Sequence, residues 1–261
     1  MTGQESPLFA ANWKMFKGPR ATEAFVESFV SRYRPREDRR IAFFPPSISL
    51  EAFVRASADR PDLEVGIQDV HQEVEGAHTG AVSASMAVEA GAKWALAGHS
   101  ERRREFGDDD AIVAVKTARA LEAGLRPIVC IGETLEEREA GLLQPVLERQ
   151  VREVLAAVPA PGLTWAYEPV WAIGTGLTAS PADAEEAHGI VRSAIGAAAG
   201  PVFADAAVVL YGGSVKPGNI GELMAASGVN GVLVGGASLD PDSVAAMIFV
   251  ALQEGGQGRG R

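Results

Sequence analysis

Glu168 stands between Tyr167 and Pro169, directly after the apolar run Thr164–Tyr167. A carboxylate placed there is either a solvated loop glutamate or a general base, the latter if apolar neighbours raise its pKa toward neutrality. His99, between Gly98 and Ser100, has a wider repertoire: acid, base, hydrogen-bond donor or metal ligand, against the plainer role of a packed loop histidine. Lys14 follows Trp13 and is a candidate for neutralising a substrate anion, although exposed lysines are mostly just solvated. The other histidines, His71, His78 and His188, lack metal-ligand spacing such as H-E-x-x-H, and the lone cysteine, Cys130, offers no cluster. No metal site is read from the chain.

Two glycine turns add a second kind of chemistry. Gly212-Gly213-Ser214 and Gly235-Gly236 each follow an apolar run. Each alone reads as a tight turn; together, followed by helical turns, they form a cradle of backbone N–H groups for an anion. The segment Pro169-Val170-Trp171-Ala172-Ile173-Gly174-Thr175-Gly176 is apolar in its middle and bounded by a proline and glycines. It is either a packed loop that never moves or a lid whose closure buries Val170, Trp171 and Ile173 and expels water.

These residues need elements to hold them. Strands are expected at Leu8–Trp13, Ile41–Phe44, Glu64–Ile67, Lys93–Ala97, Pro127–Ile131, Thr164–Tyr167, Ala207–Tyr211 and Gly231–Val234. Most lack polar alternation, as parallel strands covered on both faces do. Amphipathic segments lie between them. Phe25, Val26, Phe29, Val30 and Tyr33 share one helical face, as do Leu147, Val151, Val154, Leu155 and Val158. Ser180-Pro181 and Asp240-Pro241 mark helix starts by placing a capping residue before a proline. Strand–helix units repeated eight times predict a closed α/β barrel, with a doubly wound open sheet as the competing architecture. In both, ligands bind at the strands' C-terminal ends, where Asn12, Lys14, His99, Ser100, Glu101, Glu168 and the glycine turns gather. Barrels often hold phosphate after strands seven and eight, and the two glycine turns occupy those places.

Composition narrows the partners. A chain of 261 residues, nearly half of them hydrophobic, suits a single barrel domain over 1–253. The formal net charge of −10 argues against nucleic acid and anionic membrane as partners, and means that an anionic substrate must be met by local positive groups. One cysteine excludes an internal disulfide and fits a reducing cytoplasm. The polar start, Met1 to Pro7, carries no apolar signal core, and the apolar runs are strand-sized, far short of the roughly 20 residues that span a membrane. The Gly-rich end, 254–261, is expected to be a flexible tail.

In combination the motifs resemble triosephosphate isomerases from about Phe9 to about Phe249. The segments are Ala11-Asn12-Trp13-Lys14-Met15, GHSERR at 98–103, PIVCIGE at 127–133, YEPVWAIGTG at 167–176, YGGSV at 211–215 and VGGASL at 234–239. The resemblance implies a single-domain (β/α)8, or TIM, barrel. It implies interconversion of dihydroxyacetone phosphate and D-glyceraldehyde 3-phosphate, in glycolysis and gluconeogenesis, with no cofactor. On it, Glu168 moves the carbon-bound proton and neutral His99 polarises the carbonyl. Lys14 supplies positive charge and Asn12 donates to a substrate oxygen. The N–H groups of Gly174, Ser214, Gly235 and Gly236 hold the phosphate. Glu101 and Ser100 orient these groups from behind, and Pro169–Gly176 is the lid.

The resemblance also implies a homodimer, with the loop Val74–Gly80 and Thr79 near its tip inserted into the partner. Three departures stand out. Ala81 replaces a frequent glutamate that pairs across the interface, assigned here to Arg102. Asn230 replaces a common aspartate facing Arg192, where a neutral hydrogen bond is expected instead. Leu177 replaces a frequent lysine at the lid's second hinge. Two other functions fit parts of the pattern: an isomerase of a longer ketose phosphate such as a tetrulose phosphate, and a non-catalytic phosphate-binding barrel, which predicts loss of at least one of Lys14, His99 or Glu168.

Overall fold

The apolar runs pair in parallel as β1 (Leu8–Asn12), β2 (Arg40–Phe44), β3 (Leu63–Ile67), β4 (Trp94–Ala97), β5 (Arg126–Ile131), β6 (Thr164–Tyr167), β7 (Val208–Tyr211) and β8 (Gly231–Val234). Each limit falls within one residue of expectation. The computed structural model describes residues 6–158, 163–173 and 177–253, with side chains as far as residue 250. The expected tail, 254–261, lies outside the described residues.

Sheet order is β1 through β8 in sequence, and β8 returns to β1 in the register Leu8↔Gly231 to Ala11↔Val234. Closure removes both sheet edges and decides against the open-sheet alternative. Alternate residues point into two separate apolar layers, which explains the missing polar alternation. Leu8, Ala10, Phe44, Trp94, Leu96, Cys130 and Leu210 fill the barrel. Phe9, Phe43, Val65, Val129, Trp165 and Val209 pack outward under the helices.

The helices are α1 (Pro19–Arg32), α2 (Leu50–Ala56), α3 (Ala84–Glu89), α4 (Ser100–Phe106), α5 (Asp110–Glu122), α6 (Leu135–Glu139), α7 (Leu143–Ala157), α8 (Pro181–Ala199), α9 (Pro201–Ala206), α10 (Ile220–Ala225) and α11 (Pro241–Gln253). Among the described residues no helix is long and apolar enough to cross a membrane. Both expected caps form. Ser180 and Asp183 exchange side-chain-to-backbone bonds in a capping box at the start of α8, and the Asp240 carboxylate accepts from Ser243 N–H ahead of α11 at 3.1 Å.

Two packing features bear on the strand ends. Phe25, Val26 and Phe29 of α1 are buried, and Trp13 sets its indole edge against Phe25 with centroids 4.6 Å apart. That wedge anchors the chain where it leaves β1. On α8, His188 is fully buried, with its ring edge against Tyr167 of β6 and Nδ1 3.2 Å from the Gly228 carbonyl. Burial disfavours the imidazolium and lowers its pKa from 6.5 to about 4. Below pH 6.5 the unfolded chain therefore binds a proton here that the folded one refuses. The associated stability is fully present above that pH and is lost as pH falls toward 4. We expect this histidine to remove about 2 kcal/mol of folding stability between pH 7.5 and pH 5. Urea unfolding of the parent and of His188→Asn at both pH values checks it: the variant should lose less stability over the interval, and equal losses would clear His188.

Candidate active site

β1 ends at Asn12, and the chain turns sharply into Lys14, whose backbone adopts φ +52°, an uncommon conformation for lysine. Its surroundings hold it there. Lys14 N–H donates to Asn12 Oδ1 at 3.0 Å, while Gln68 Nε2, just past β3, donates to the carbonyls of Lys14 and Phe44 at 2.8 Å each. Such local strain persists only where neighbours over-determine it. With Oδ1 engaged, Asn12 keeps its amide NH2 for donation. The Lys14 ammonium meets Glu101 Oε1 at 2.8 Å. It also runs alongside the turn after β8: a Cβ built on Gly235 would lie 3.5 Å from Lys14 Nζ.

His99 is delivered by the end of β4 and the start of α4. Gly98 before it has φ +72°, and a Cβ there would come within 2.5 Å of Val113, so only glycine fits both the conformation and the space. His99 caps α4: its Nδ1 accepts the Glu101 N–H at 3.3 Å. A nitrogen that accepts carries no proton, so the imidazole is neutral with its hydrogen on Nε2. Nε2 lies 3.1 Å from Glu168 Oε1. The other carboxylate oxygen, Oε2, accepts from Ser100 N–H at 2.8 Å. His99 and Glu168 are both buried. Behind them Glu101 is half-buried. Burial pushes its carboxyl up, but the hydrogen bond and charge of Lys14 outweigh that and leave it below the usual carboxylate range.

The Glu168 backbone is seated on the exit of β5, its N–H donating to the Ile131 carbonyl at 2.7 Å. Next to that exit, Glu133 is fully buried. Its Oε1 accepts from Tyr167 Oη at 3.0 Å and from Trp171 Nε1 at 2.7 Å, and burial drives its carboxyl above the ordinary range. The expected lid therefore has a docked first half: Val170–Ala172 forms a single 3-10 turn, with Ala172 buried and Val170, Trp171 and Ile173 half-buried. Gly174, Thr175 and Gly176 lie outside the described residues. On the opposite side, Gly236 opens the 3-10 turn Gly236–Leu239, and the first N–H groups of such a turn have no partner within it. Half-buried Ser214 follows β7, its carbonyl held by Asn219 Nδ2 at 3.0 Å.

The fold thus brings Asn12, Lys14, His99, Ser100, Glu101 and Glu168 into one constellation, with the Gly235 turn beside it. A cleft of about 760 Å³ opens next to it, lined by Asn12, Lys14, His99 and Glu101 and also by Met15, Phe16, Arg102 and Phe106. Sequence reasoning passed over Gln68 and the role of Glu133. Gln68 sits directly after β3 and Glu133 two residues past the end of β5, so the strand-end rule that singled out Glu168 reached them as well. Among the described residues no three His, Cys, Asp or Glu side chains are grouped to hold a metal ion.

The family model for triosephosphate isomerase matches residues 7–251. The chain belongs to the triosephosphate isomerase family. Its relatives include proteins named triosephosphate isomerase from Nitratidesulfovibrio vulgaris, 47% identical over 250 residues covering 93% of this chain and 98% of that one. Others come from Chloroflexus aurantiacus, 44% identical with 91% and 96% covered, and Carboxydothermus hydrogenoformans, 44% identical with 93% and 97% covered.

Against other triosephosphate isomerases the departures now have structural readings. Arg102 meets Asp69 at 3.2 Å and Asp108 at 3.4 Å in its own chain, so with Ala81 at the exposed loop position this guanidinium has its acids in cis. Lys116 ties the same two carboxylates together at 2.8 Å and 2.7 Å. Asn230 keeps the neutral bond expected of it, its Oδ1 accepting from Arg192 and from Val209 N–H. Leu177 is half exposed, at 51%. Gly235→Asp would set a carboxylate against Lys14 Nζ and in the path of any incoming anion. Inorganic phosphate should then bind at least about tenfold more weakly; calorimetry on parent and variant checks this, and equal affinities would put the anion elsewhere.

Proposed function

We propose that this chain interconverts dihydroxyacetone phosphate and D-glyceraldehyde 3-phosphate by proton transfer through an enediolate, as a step of glycolysis and gluconeogenesis. The observation that carries the reading is the approach of the His99 imidazole Nε2 to the buried Glu168 carboxylate at 3.1 Å, with a lysine ammonium alongside. An intramolecular aldose–ketose isomerase needs those groups and no cofactor.

The geometry suggests an order of events. His99 Nε2 has one hydrogen to donate and stands 3.1 Å from Glu168 Oε1. A substrate carbonyl oxygen entering beside them takes that hydrogen and leaves the carboxylate for the neighbouring carbon. Glu168 removes the proton from that carbon, and electron density moves to the oxygen. There the Nε2–H and the Lys14 ammonium meet the developing charge without having to reorganise. A neutral donor suits this task because it stabilises the enediolate without forcing full protonation. The proton then returns to the adjacent carbon, while the hydroxyl hydrogen passes between the two oxygens within reach of His99. Asn12 NH2 donates to a substrate oxygen. Backbone N–H groups of Ser214, Gly235, Gly236 and Gly174 hold the phosphate, and Glu101 and Ser100 orient the groups that react. Closure of Pro169–Gly176 excludes water, which suppresses loss of phosphate from the enediolate.

Residues 1–253 then form one catalytic domain, working as a homodimer in the cytoplasm. Supporting the dimer, Met15 is 93% exposed beside the cleft and Phe106 64% exposed, an apolar rim suited to a partner's loop. The loop Val74–Gly80, with Thr79, is exposed along its length. The single buried thiol of Cys130 fits a reducing compartment.

A coupled assay on D-glyceraldehyde 3-phosphate tests the activity directly, and a four-carbon ketose phosphate turned over with equal kcat/KM would move the assignment to the longer sugar. Glu168→Asp draws the carboxylate back by about 1 Å, so kcat should fall by about 100-fold with KM little changed; parental turnover would remove Glu168 from the base role. Lys14→Ala should weaken kcat and KM together, and unchanged kinetics would reduce Lys14 to a surface charge.

A further inference from the structure

Gln150 lies in the interior of α7, is 4% exposed, and spends its whole carboxamide on one residue. Its Oε1 accepts the Gly132 N–H at 2.8 Å and its Nε2 donates to the Gly132 carbonyl at 3.2 Å. One side chain thus completes both polar groups of one residue, as a neighbouring strand would. Gly132 in turn touches the proposed base. A Cβ on it would fall 1.8 Å from the Glu168 carbonyl oxygen and 3.4 Å from the Glu168 Cα, so the two backbones abut with no side chain between them. The contacts on either side continue the pattern: Glu168 N–H to Ile131 O at 2.7 Å, and Val170 N–H to Glu133 O at 3.2 Å. Residues 131–133 are a ledge on which 168–170 rest. Ile131 is secured by β5 and Glu133 by its buried carboxylate. Gly132, with no side chain, is held by Gln150.

We infer that Gln150 is a positioning residue for Glu168, acting through Gly132 to set where the carboxylate stands relative to His99. This rests on Glu168 serving as the base. Loss of the carboxamide leaves a buried N–H and a buried carbonyl unpaired, and the ledge must shift to find them partners. A displaced base is costly: about 1 Å is worth on the order of 100-fold in rate. Three of the four N–H groups proposed to hold the phosphate come from the turns after β7 and β8, which Gln150 does not touch, so the effect should fall mainly on kcat and largely spare binding.

Two variants test this, Q150M and Q150E, alongside the parent. Methionine keeps the length and loses both bonds. Q150M should lower kcat by about 10- to 100-fold while KM and the inhibition constant of inorganic phosphate stay within about threefold. A protonated glutamic acid donates and accepts as the amide does, whereas the carboxylate form only accepts and faces the Gly132 carbonyl. Q150E should therefore approach parental kcat at acid pH and fall away as pH rises, a descending limb the parent lacks, with its circular dichroism unchanged throughout. Parental kcat in Q150M overturns the inference, as does a loss of phosphate affinity matching the loss of kcat. If Q150M fails to fold, Q150E decides: a constant ratio to the parent across pH, or activity lost only together with the circular dichroism signal, overturns it. A parent inactive on D-glyceraldehyde 3-phosphate would instead sink the isomerase reading, and this inference with it.

Discussion

A single hydrogen position organises the site. The Glu101 N–H, at the start of α4, points into the lone pair of His99 Nδ1, which leaves the ring's one proton on Nε2, the nitrogen 3.1 Å from Glu168 Oε1. If that backbone donor were turned away, Nδ1 could carry the proton and the ring would present a lone pair to a carboxylate. The two would repel, and a substrate oxygen would find no donor. The residues around the pair serve this arrangement. Gly98 allows the approach of the chain, Ser100 N–H takes the second carboxylate oxygen, and the ledge 131–133 sets the height of the proposed base.

Charge is handled by placement. The chain is acidic overall, and its substrate under the proposed function is an anion, so positive potential must be concentrated where the ligand sits. Lys14 supplies it at the cost of a strained backbone, held by Gln68 and Asn12. Its ion pair with Glu101 keeps the ammonium directed along the cleft, and main-chain N–H groups at the glycine turns add partial charge without adding a side chain. The Arg102–Asp69–Lys116–Asp108 cluster is a separate unit with its own charge balance. It neutralises two cations that would otherwise compete for the same anion.

Barrel closure is what makes these local devices converge. Lys14, His99, Glu168 and the two glycine turns leave five different regions of the chain, and only a sheet whose eighth strand pairs with its first sets β1 beside β8, and so Lys14 beside Gly235. Both faces of that sheet are apolar, so its register is enforced from inside and outside together.

Much of this was legible in the residue order. Strand limits, both proline-marked helix starts, and the candidates Asn12, Lys14, His99 and Glu168 follow from local signals: apolar runs of strand length, capping residues, and polar groups directly after a strand. These are properties of a few neighbouring residues, which a linear reading can see. Closed barrel against open sheet was not legible, because both are written in the same alternation of strand and helix. Nor was the tautomer of His99, which depends on the direction of one backbone N–H. Gln150 gave no signal at all: a glutamine inside an amphipathic helix looks solvated until the helix is packed and its carboxamide meets Gly132. The sequence by itself determined which groups were available and the elements that carry them. Only the tertiary structure decided which of them touch, because hydrogen bonds and charge pairs depend on distances between segments far apart along the chain.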